Sequence, residues 1–173
     1  MLYDYNGTTP FIDKTAFIAP DAVITGDVEV GPYASIWFKA VIRGDVAPVK
    51  IGAYSNVQDL SLLHQSPDLP LIIEDYVTVG HQVTLHSAII RKHALVGMGS
   101  IILDGAEIGE GAFIGAGSLV SPGKKIPPNT LAFGRPAKVV RDLTKKDKEE
   151  MERIQQEYTR KAQLYKESLS SDN

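Results

Sequence analysis

Aliphatic residues recur every six positions along most of this chain, and this repeat constrains the fold more than any other feature. The longest uninterrupted run comprises Ile90, Val96, Ile102, Ile108, Ile114, Val120 and Ile126. Six residues at 100° per residue do not return to one side of an α-helix, but six residues fit a short strand and a tight turn. Three such hexads make one triangular coil, and stacked coils place each aliphatic above another. The repeat therefore predicts a mainly β chain that forms a single-stranded parallel β-helix over residues 1–140.

The regularity of the repeat argues against a β-sandwich, whose strands vary in length and are separated by turns about every 8–12 residues. Two segments interrupt the repeat, Asp45–Lys50 and Gln65–Leu71. The second contains two prolines, which cannot donate hydrogen bonds to a strand ladder. We predict that both segments are loops that leave the triangular prism.

A different pattern begins near residue 141. Thr144 followed by Asp147 is a helix N-cap signal. Apolar residues then follow at helical steps, namely Met151, Ile154, Tyr158, Ala162, Tyr165 and Leu169. Residues 141–173 are therefore predicted to form an amphipathic C-terminal helix, packed on the prism or on a neighbour, with a disordered tail at Ser170–Asn173.

The composition excludes several classes of function. The chain has a net charge of −3, no cysteine, 43% hydrophobic residues and 23% charged residues. These values exclude disulfides and thiolate metal ligands, and they give no indication of a nucleic-acid-binding surface. No apolar run approaches the ~20 residues that span a bilayer, and the first residues lack a signal-peptide pattern. We expect a cytoplasmic protein that binds neither nucleic acid nor membranes.

Three of the four histidines lie close together in the sequence, at His64, His81 and His86. His64 and His86 each follow an aliphatic residue at the same hexad position, so they should stack one coil apart, at ~4.8 Å between strands. His81 is five residues from His86, a span of up to ~16 Å that a corner shortens, so it cannot easily bring its nitrogen within about 3.5 Å of theirs, as one tetrahedral metal requires. The simplest solution is that His81 binds a metal shared with a neighbouring subunit, which implies a homotrimer with three equivalent interfaces.

Three imidazoles with a fourth, open position are typical of a catalytic metal site. Such an ion lowers the pKa of its bound water to ~7 and thereby supplies hydroxide at neutral pH. Zinc is the expected metal, although Fe2+ and Co2+ accept the same ligands.

Several motifs in order resemble the γ-class carbonic anhydrases. They are Val41-Ile42-Arg43-Gly44-Asp45, Asn56-Val57-Gln58-Asp59, His64, and Gly80-His81-Gln82-Val83-Thr84-Leu85-His86. The resemblance covers about residues 10–165. It implies a left-handed β-helix and reversible hydration of carbon dioxide to bicarbonate by a metal-bound hydroxide. It also implies that His64 and His86 come from one subunit and His81 from the next.

The resemblance assigns roles to further residues by position. Gln58 would hydrogen-bond the metal-bound water, and Asn56 would position the substrate or Gln58. Arg43 and Asp45 resemble an ion pair between subunits beside the site, and Asp59 would support this network.

Tyr158 on the terminal helix resembles a tyrosine near the metal, although packing of the helix explains it equally well. The chain also departs from the family pattern. Two glutamates that shuttle protons are expected near Gln65–Asp68 and at Val46, and neither is present. This departure predicts low activity.

Two other functions are compatible with the sequence. A hexapeptide acyltransferase that uses acyl-CoA has one essential histidine as general base and needs no metal. A non-catalytic metal-binding trimeric scaffold would bind metal without turnover. Metal content separates the acyltransferase from the other two functions, and activity separates the enzyme from the scaffold.

Overall fold

The computed structural model describes residues 1–171, and the side chains of residues 1–169. The chain forms a left-handed parallel β-helix with three flat faces and one C-terminal helix, as the six-residue repeat and the family resemblance predict. None of the helices in the described part of the chain is long and apolar enough to cross a membrane.

Face one and face two share two long strands that bend around the corner between them, β4 (Val23–Val30) and β6 (Val41–Ile51). The other strands of face one are β1 (Leu2–Tyr3), β8 (Leu62–His64), β11 (Thr84–His86), β14 (Ile101–Ile102) and β17 (Leu119–Val120). The other strands of face two are β2 (Phe11–Ile12), β9 (Leu71–Ile73), β12 (Ile89–Ile90), β15 (Glu107–Ile108) and β18 (Lys125–Ile126).

Face three forms a separate sheet that ends in an antiparallel strand. Its strands are β3 (Phe17–Ile18), β5 (Ser35–Ile36), β7 (Asn56–Val57), β10 (Thr78–Val79), β13 (Leu95–Val96), β16 (Phe113–Ile114), β19 (Thr130–Gly134) and β20 (Ala137–Asp142). The pair β19 and β20 is antiparallel and closes this end of the parallel ladder.

The core consists of three ladders of aliphatic side chains, one inside each face. On face one the ladder is Ile24, Ile42, Leu63, Leu85, Ile102 and Val120. All six are completely buried, and burying one such side chain stabilises the fold by about 1.5–3 kcal/mol. The in-register stacking of these residues fixes which corner residues lie above one another in successive coils.

The two interruptions of the repeat have different structures. Gln65–Pro70 forms the predicted loop between β8 and β9, and Leu71 already begins β9. The prediction of a loop at Asp45–Lys50 is wrong, because the whole segment lies within β6. Gly44 pairs with Gly26 and Val49 pairs with Val28, so four residues of β6 bulge opposite Asp27. A bulge absorbs the extra residues while Val49 stays fully buried, so the core remains continuous.

Helix α1 (Lys145–Ser171) covers face three, where it contacts β3, β5, β7 and β10. Thr144 and Asp147 cap its first turn reciprocally, because each backbone N–H donates to the other side chain. The predicted disordered tail overlaps the last two helical residues, Ser170 and Ser171, and its remainder lies outside the described residues.

Candidate metal centre

The candidate residues lie along both edges of face one, in two groups. Arg43, Asp45, His64 and His86 lie at the corner between faces one and two, which we call the paired-histidine edge. The second group consists of Asn56, Gln58, Asp59 and His81, together with Tyr158 of helix α1, and lies around the corner between faces three and one. We call that corner the His81 edge. Each group is therefore one half of the predicted site.

Two imidazoles converge at the paired-histidine edge. His64 and His86 are in-register partners on β8 and β11, as their shared hexad position predicts. His64 Nδ1 lies 3.2 Å from His86 Nε2. Two nitrogens that bind one tetrahedral metal at ~2.0–2.1 Å have a separation of about this size. The two nitrogens are therefore spaced as ligands of a single ion.

The second nitrogen of each ring contacts a carboxylate. His64 Nε2 lies 3.0 Å from Asp45 Oδ1, and His86 Nδ1 lies 2.5 Å from Asp104 Oδ1. A neutral imidazole has one N–H, and a carboxylate can only accept it. The two aspartates consequently place the protons on the outer nitrogens and leave two lone pairs facing each other. A cation between these lone pairs converts their repulsion into binding, so this donor set fits a divalent metal.

Asp104 also belongs to this edge, and sequence reasoning missed it. Its Oδ2 accepts a hydrogen bond of 2.6 Å from the Ser66 hydroxyl, so it joins the loop after β8 to His86. These hydrogen bonds, first from Ser66 and then from His86, lower the pKa of Asp104, and the carboxylate stays charged. Asp104 lies one coil of 18 residues after His86, so the repeat itself contained the signal.

The His81 edge carries one imidazole, which is held on both sides. His81 Nδ1 lies 2.8 Å from Asp59 Oδ2, and His81 Nε2 lies 3.2 Å from the hydroxyl of Tyr158. Burial, and next the negative charge of Asp59, raise the pKa of Tyr158, so the phenol stays protonated. His81 Nδ1–H therefore donates a hydrogen bond to Asp59, and the Tyr158 hydroxyl donates to the lone pair of Nε2.

Asn56 and Gln58 lie next to this edge, and both are buried. Gln58 Nε2 donates to Asn56 Oδ1 at 3.0 Å, and Asn56 Nδ2 donates to Thr78 Oγ1 at 3.0 Å. This chain of hydrogen bonds fixes the orientation of both amides. The structure thus places them with His81 and not with the paired histidines of the same chain.

Arg43 and Asp45 contact each other within this chain, at 3.2 Å between a guanidinium nitrogen and Oδ2. Asp45 therefore contacts both Arg43 and His64. Among the residues described with side chains, no group of three or more His, Cys, Asp or Glu side chains is arranged to hold a metal. Within one chain the structure joins two of the three predicted ligands and leaves His81 apart.

Comparison with known proteins gives the family. The family model described as "Bacterial transferase hexapeptide (six repeats)" matches residues 87–122. The chain is 71% identical over 166 residues to a protein of Geobacillus kaustophilus named carbonic anhydrase, covering 96% of this chain and 91% of that protein. It is 37% identical to the mitochondrial gamma carbonic anhydrase 2 of Arabidopsis thaliana, covering 91% of this chain and 59% of that protein. This chain belongs to the γ-carbonic-anhydrase-like proteins of the hexapeptide-repeat family.

A solved crystal structure has nearly the same fold. It is a Bacillus cereus protein, provisionally named an acetyltransferase, with 67% identity and a TM-score of 0.95 over 96% of each chain. Proteins with different functional names therefore share this γ-carbonic-anhydrase-like fold, and only the site can distinguish between them.

Proposed function

We propose that this protein catalyses the reversible hydration of carbon dioxide to bicarbonate at a metal site between the subunits of a homotrimer. The ligands are His64 and His86 of one subunit and His81 of the partner subunit, and the expected metal is zinc, with Fe2+ or Co2+ as alternatives. The observation that supports this proposal most strongly is the 3.2 Å approach of two imidazole nitrogens whose protons are held elsewhere by Asp45 and Asp104.

The outer surface of the prism supports trimer formation through face one. Its outward row consists of Val41, Leu62, Thr84, Ile101 and Leu119. The corresponding row on face two is mixed, because the charged residues Glu29, Lys50, Glu107 and Lys125 lie among Phe11, Ile72 and Ile89. Helix α1 already covers face three. An exposed apolar face commonly marks a protein interface, and face one is also flanked by both halves of the site.

Packing face one of neighbouring subunits around a threefold axis brings different edges together. The paired-histidine edge of one subunit would meet the His81 edge of the next, and cyclic symmetry repeats this meeting three times. The named carbonic anhydrase relatives imply a metal cofactor for this family. Each interface would then complete one three-histidine site.

A cation held by three imidazoles supplies a hydroxide nucleophile at neutral pH. The residues of this chain hold the ligands and the reactants in place. Asp45, Asp59 and Asp104 fix the tautomers of the three histidines. Gln58, oriented by Asn56, would hydrogen-bond the attacking water. Tyr158, which contacts His81 Nε2 in the single chain, would give up that contact when the nitrogen binds the metal and would then lie beside the attacking water.

Proton export should limit the rate, because glutamates are absent at the two positions where the family pattern expects shuttles. Val46 occupies one position, and the loop Gln65–Pro70 contains no glutamate. A buffer base can accept the proton instead. We expect the turnover number to rise with buffer concentration at constant pH and ionic strength.

Metal analysis of protein purified without oxygen, combined with stopped-flow carbon dioxide hydration on the same sample, tests the proposal. We expect about one ion per chain and a hydration rate that disappears after chelation. Metal without hydration would support a scaffold, and protein that takes up no metal would contradict both functions.

The provisional acetyltransferase name of the Bacillus cereus relative favours one alternative, an acyl-CoA-dependent transferase. That function needs one general-base histidine and a groove for coenzyme A, and it needs no metal. Saturable binding of acetyl-CoA to metal-free protein would support this alternative over the proposed hydration.

A further inference from the structure

Four rings form a continuous stack at the corner between faces two and three. The rings belong to Tyr33, Tyr54, Tyr76 and His93, with centroid separations of 4.9, 5.1 and 5.0 Å. Their interplanar angles are 13°, 1° and 10°. Each ring occupies the same corner position in a successive coil, so the stack runs along the axis of the prism.

The stack ends at His93 because the next two corners have no ring. Gly111 follows His93 by one coil, and Asn129 follows Gly111 by one more. All of these corner positions have a positive φ, between 55° and 60°, in the left-handed region that asparagine and glycine adopt most readily. One side of the His93 ring contacts Tyr76. The next corner along the stack is Gly111, which has no side chain of its own and which the amide of Asn129 approaches from the far side.

A groove of about 720 Å3 opens at this position, between the corner and helix α1. Its lining includes His93 and Gly111 on the prism and Lys148, Gln156 and Arg160 on the helix. The rungs of His93 and Asn129 are two coil steps apart, on the order of 10 Å. One planar ring fits between them at the ~4.5–7 Å centroid spacing of stacked aromatic rings.

The polar groups around the groove suit a heterocycle better than a hydrocarbon ring. Asn129 Oδ1 lies beside Gly111, 3.2 Å from where a Cβ on Gly111 would be, and Glu110 and Glu152 also line the groove. These oxygens can accept hydrogen bonds from an exocyclic amine. Lys148 and Arg160 can donate to ring nitrogens.

The groove is also placed where a trimer would leave it open. The corner between faces two and three lies opposite face one, whose two edges carry the halves of the proposed metal site. Subunits that meet through face one therefore leave this corner on the outside of the assembly.

We propose that this groove binds the purine base of a nucleoside or nucleotide, stacked on His93 in the space beside Gly111. Binding extends the ring stack by one member, and the carboxylates and the amide of Asn129 recognise the amine edge of the base. The site is separate from the metal centre and does not depend on the hydration reaction.

Titration of the trimeric protein with adenosine tests this site, with D-ribose as the probe that lacks a base. Isothermal titration calorimetry should show saturable binding of adenosine and none of ribose. NMR should show an upfield shift of the His93 ring protons, caused by the ring current of the stacked base. Absence of saturable adenosine binding would overturn the proposal.

Two substitutions locate the site. Gly111→Asn fills the vacant rung, and His93→Asn removes the ring beneath it, while asparagine tolerates the left-handed backbone at both positions. Each should weaken adenosine binding about tenfold or more, as loss of one base–aromatic stack does. Gly123→Asn is the matched control, because Gly123 also has a positive φ, lies at another corner and has nothing within 4 Å of an added Cβ. Unchanged affinity in both test variants, with thermal unfolding like that of the control, would show that adenosine does not bind here.

Discussion

The two edges of face one hold their histidines in different ways. At the paired-histidine edge, stacking of successive coils brings two imidazoles within 3.2 Å, and each has an aspartate on its far side. At the His81 edge, one imidazole also has an aspartate, but its other nitrogen contacts the hydroxyl of Tyr158. Stacking alone thus brings two imidazoles together in a repeat fold, whereas the third ligand of the proposed site would come from a neighbouring subunit.

The largest expected effect comes from removing the single histidine. His81→Ala should reduce the metal content from about one ion per chain to nearly none, because two imidazoles and water hold an ion far less tightly than three imidazoles. The β-helix should remain folded, since the His81 side chain lies in a turn and is 41% exposed. Metal analysis and circular dichroism measure both outcomes.

The matched control is His93→Asn, which changes the histidine outside the proposed metal site and should keep its metal. Full metal occupancy in the His81→Ala protein would show that the shared-site model is wrong.

A smaller effect is expected from Asp104, which holds a paired histidine without contacting the ion. Asp104→Asn should weaken metal affinity by about 10–100-fold, because the amide no longer enforces the tautomer that leaves His86 Nε2 unprotonated. Competition with a chromophoric chelator measures this affinity. Asp75→Asn, at a corner away from face one, is the control and should bind metal like the unmodified protein. Equal metal affinities in the two variants would show that Asp104 does not support the metal site.

Substitutions of Tyr158 test whether the His81 edge needs the tyrosine hydroxyl or only the aromatic ring. Tyr158→Phe should keep the perpendicular contact with Trp37, at 5.2 Å between ring centroids, and lose only the bond to His81. We expect a few-fold lower hydration rate and a free energy of unfolding within about 1 kcal/mol of the original. Tyr158→Ala should cost on the order of 3 kcal/mol, because it also leaves a cavity under the helix. If the phenylalanine variant hydrates carbon dioxide at the original rate, the role of Tyr158 is to pack helix α1 and not to assist the reaction.

The smallest effect concerns the start of the helix that carries Tyr158. Arg141, and next Thr144, lower the pKa of Asp147 in the folded state. A lowered folded pKa stabilises the protein above the unfolded value near ~4, and this contribution disappears as the pH falls through the folded pKa. Thermal melts of the protein and of Asp147→Asn should therefore differ at pH 7 and converge progressively below about pH 4. A difference that stays constant down to pH 2 would contradict this assignment.

Much of this fold follows from the sequence because one pattern repeats through it. The aliphatic repeat predicted the three ladders, and the shared hexad position predicted that His64 and His86 stack. The sequence did not reveal that Asp45–Lys50 stays within β6, because a bulge opposite Asp27 and a loop look the same in a pattern of spacings.

The site residues were harder to predict wherever they act across coils or across elements. Asp104 is recognisable only once the 18-residue coil places it beside His86. The ring stack that ends at His93 lies at corner positions, which are outside the buried aliphatic repeat. The distance from Tyr158 to His81 depends on how α1 packs across face three, and no sequence spacing encodes it.

Mixing two defective chains tests the shared site most directly. His81→Ala and His86→Ala proteins, each prepared separately, should both lack metal and hydration activity. When the two are unfolded together in equal amounts and refolded, about a quarter of the interfaces in randomly assembled trimers should combine an intact pair with an intact His81. We predict that the mixture regains metal and activity to about that fraction. Recovery of neither in a mixture that forms trimers would contradict a metal centre built from two subunits.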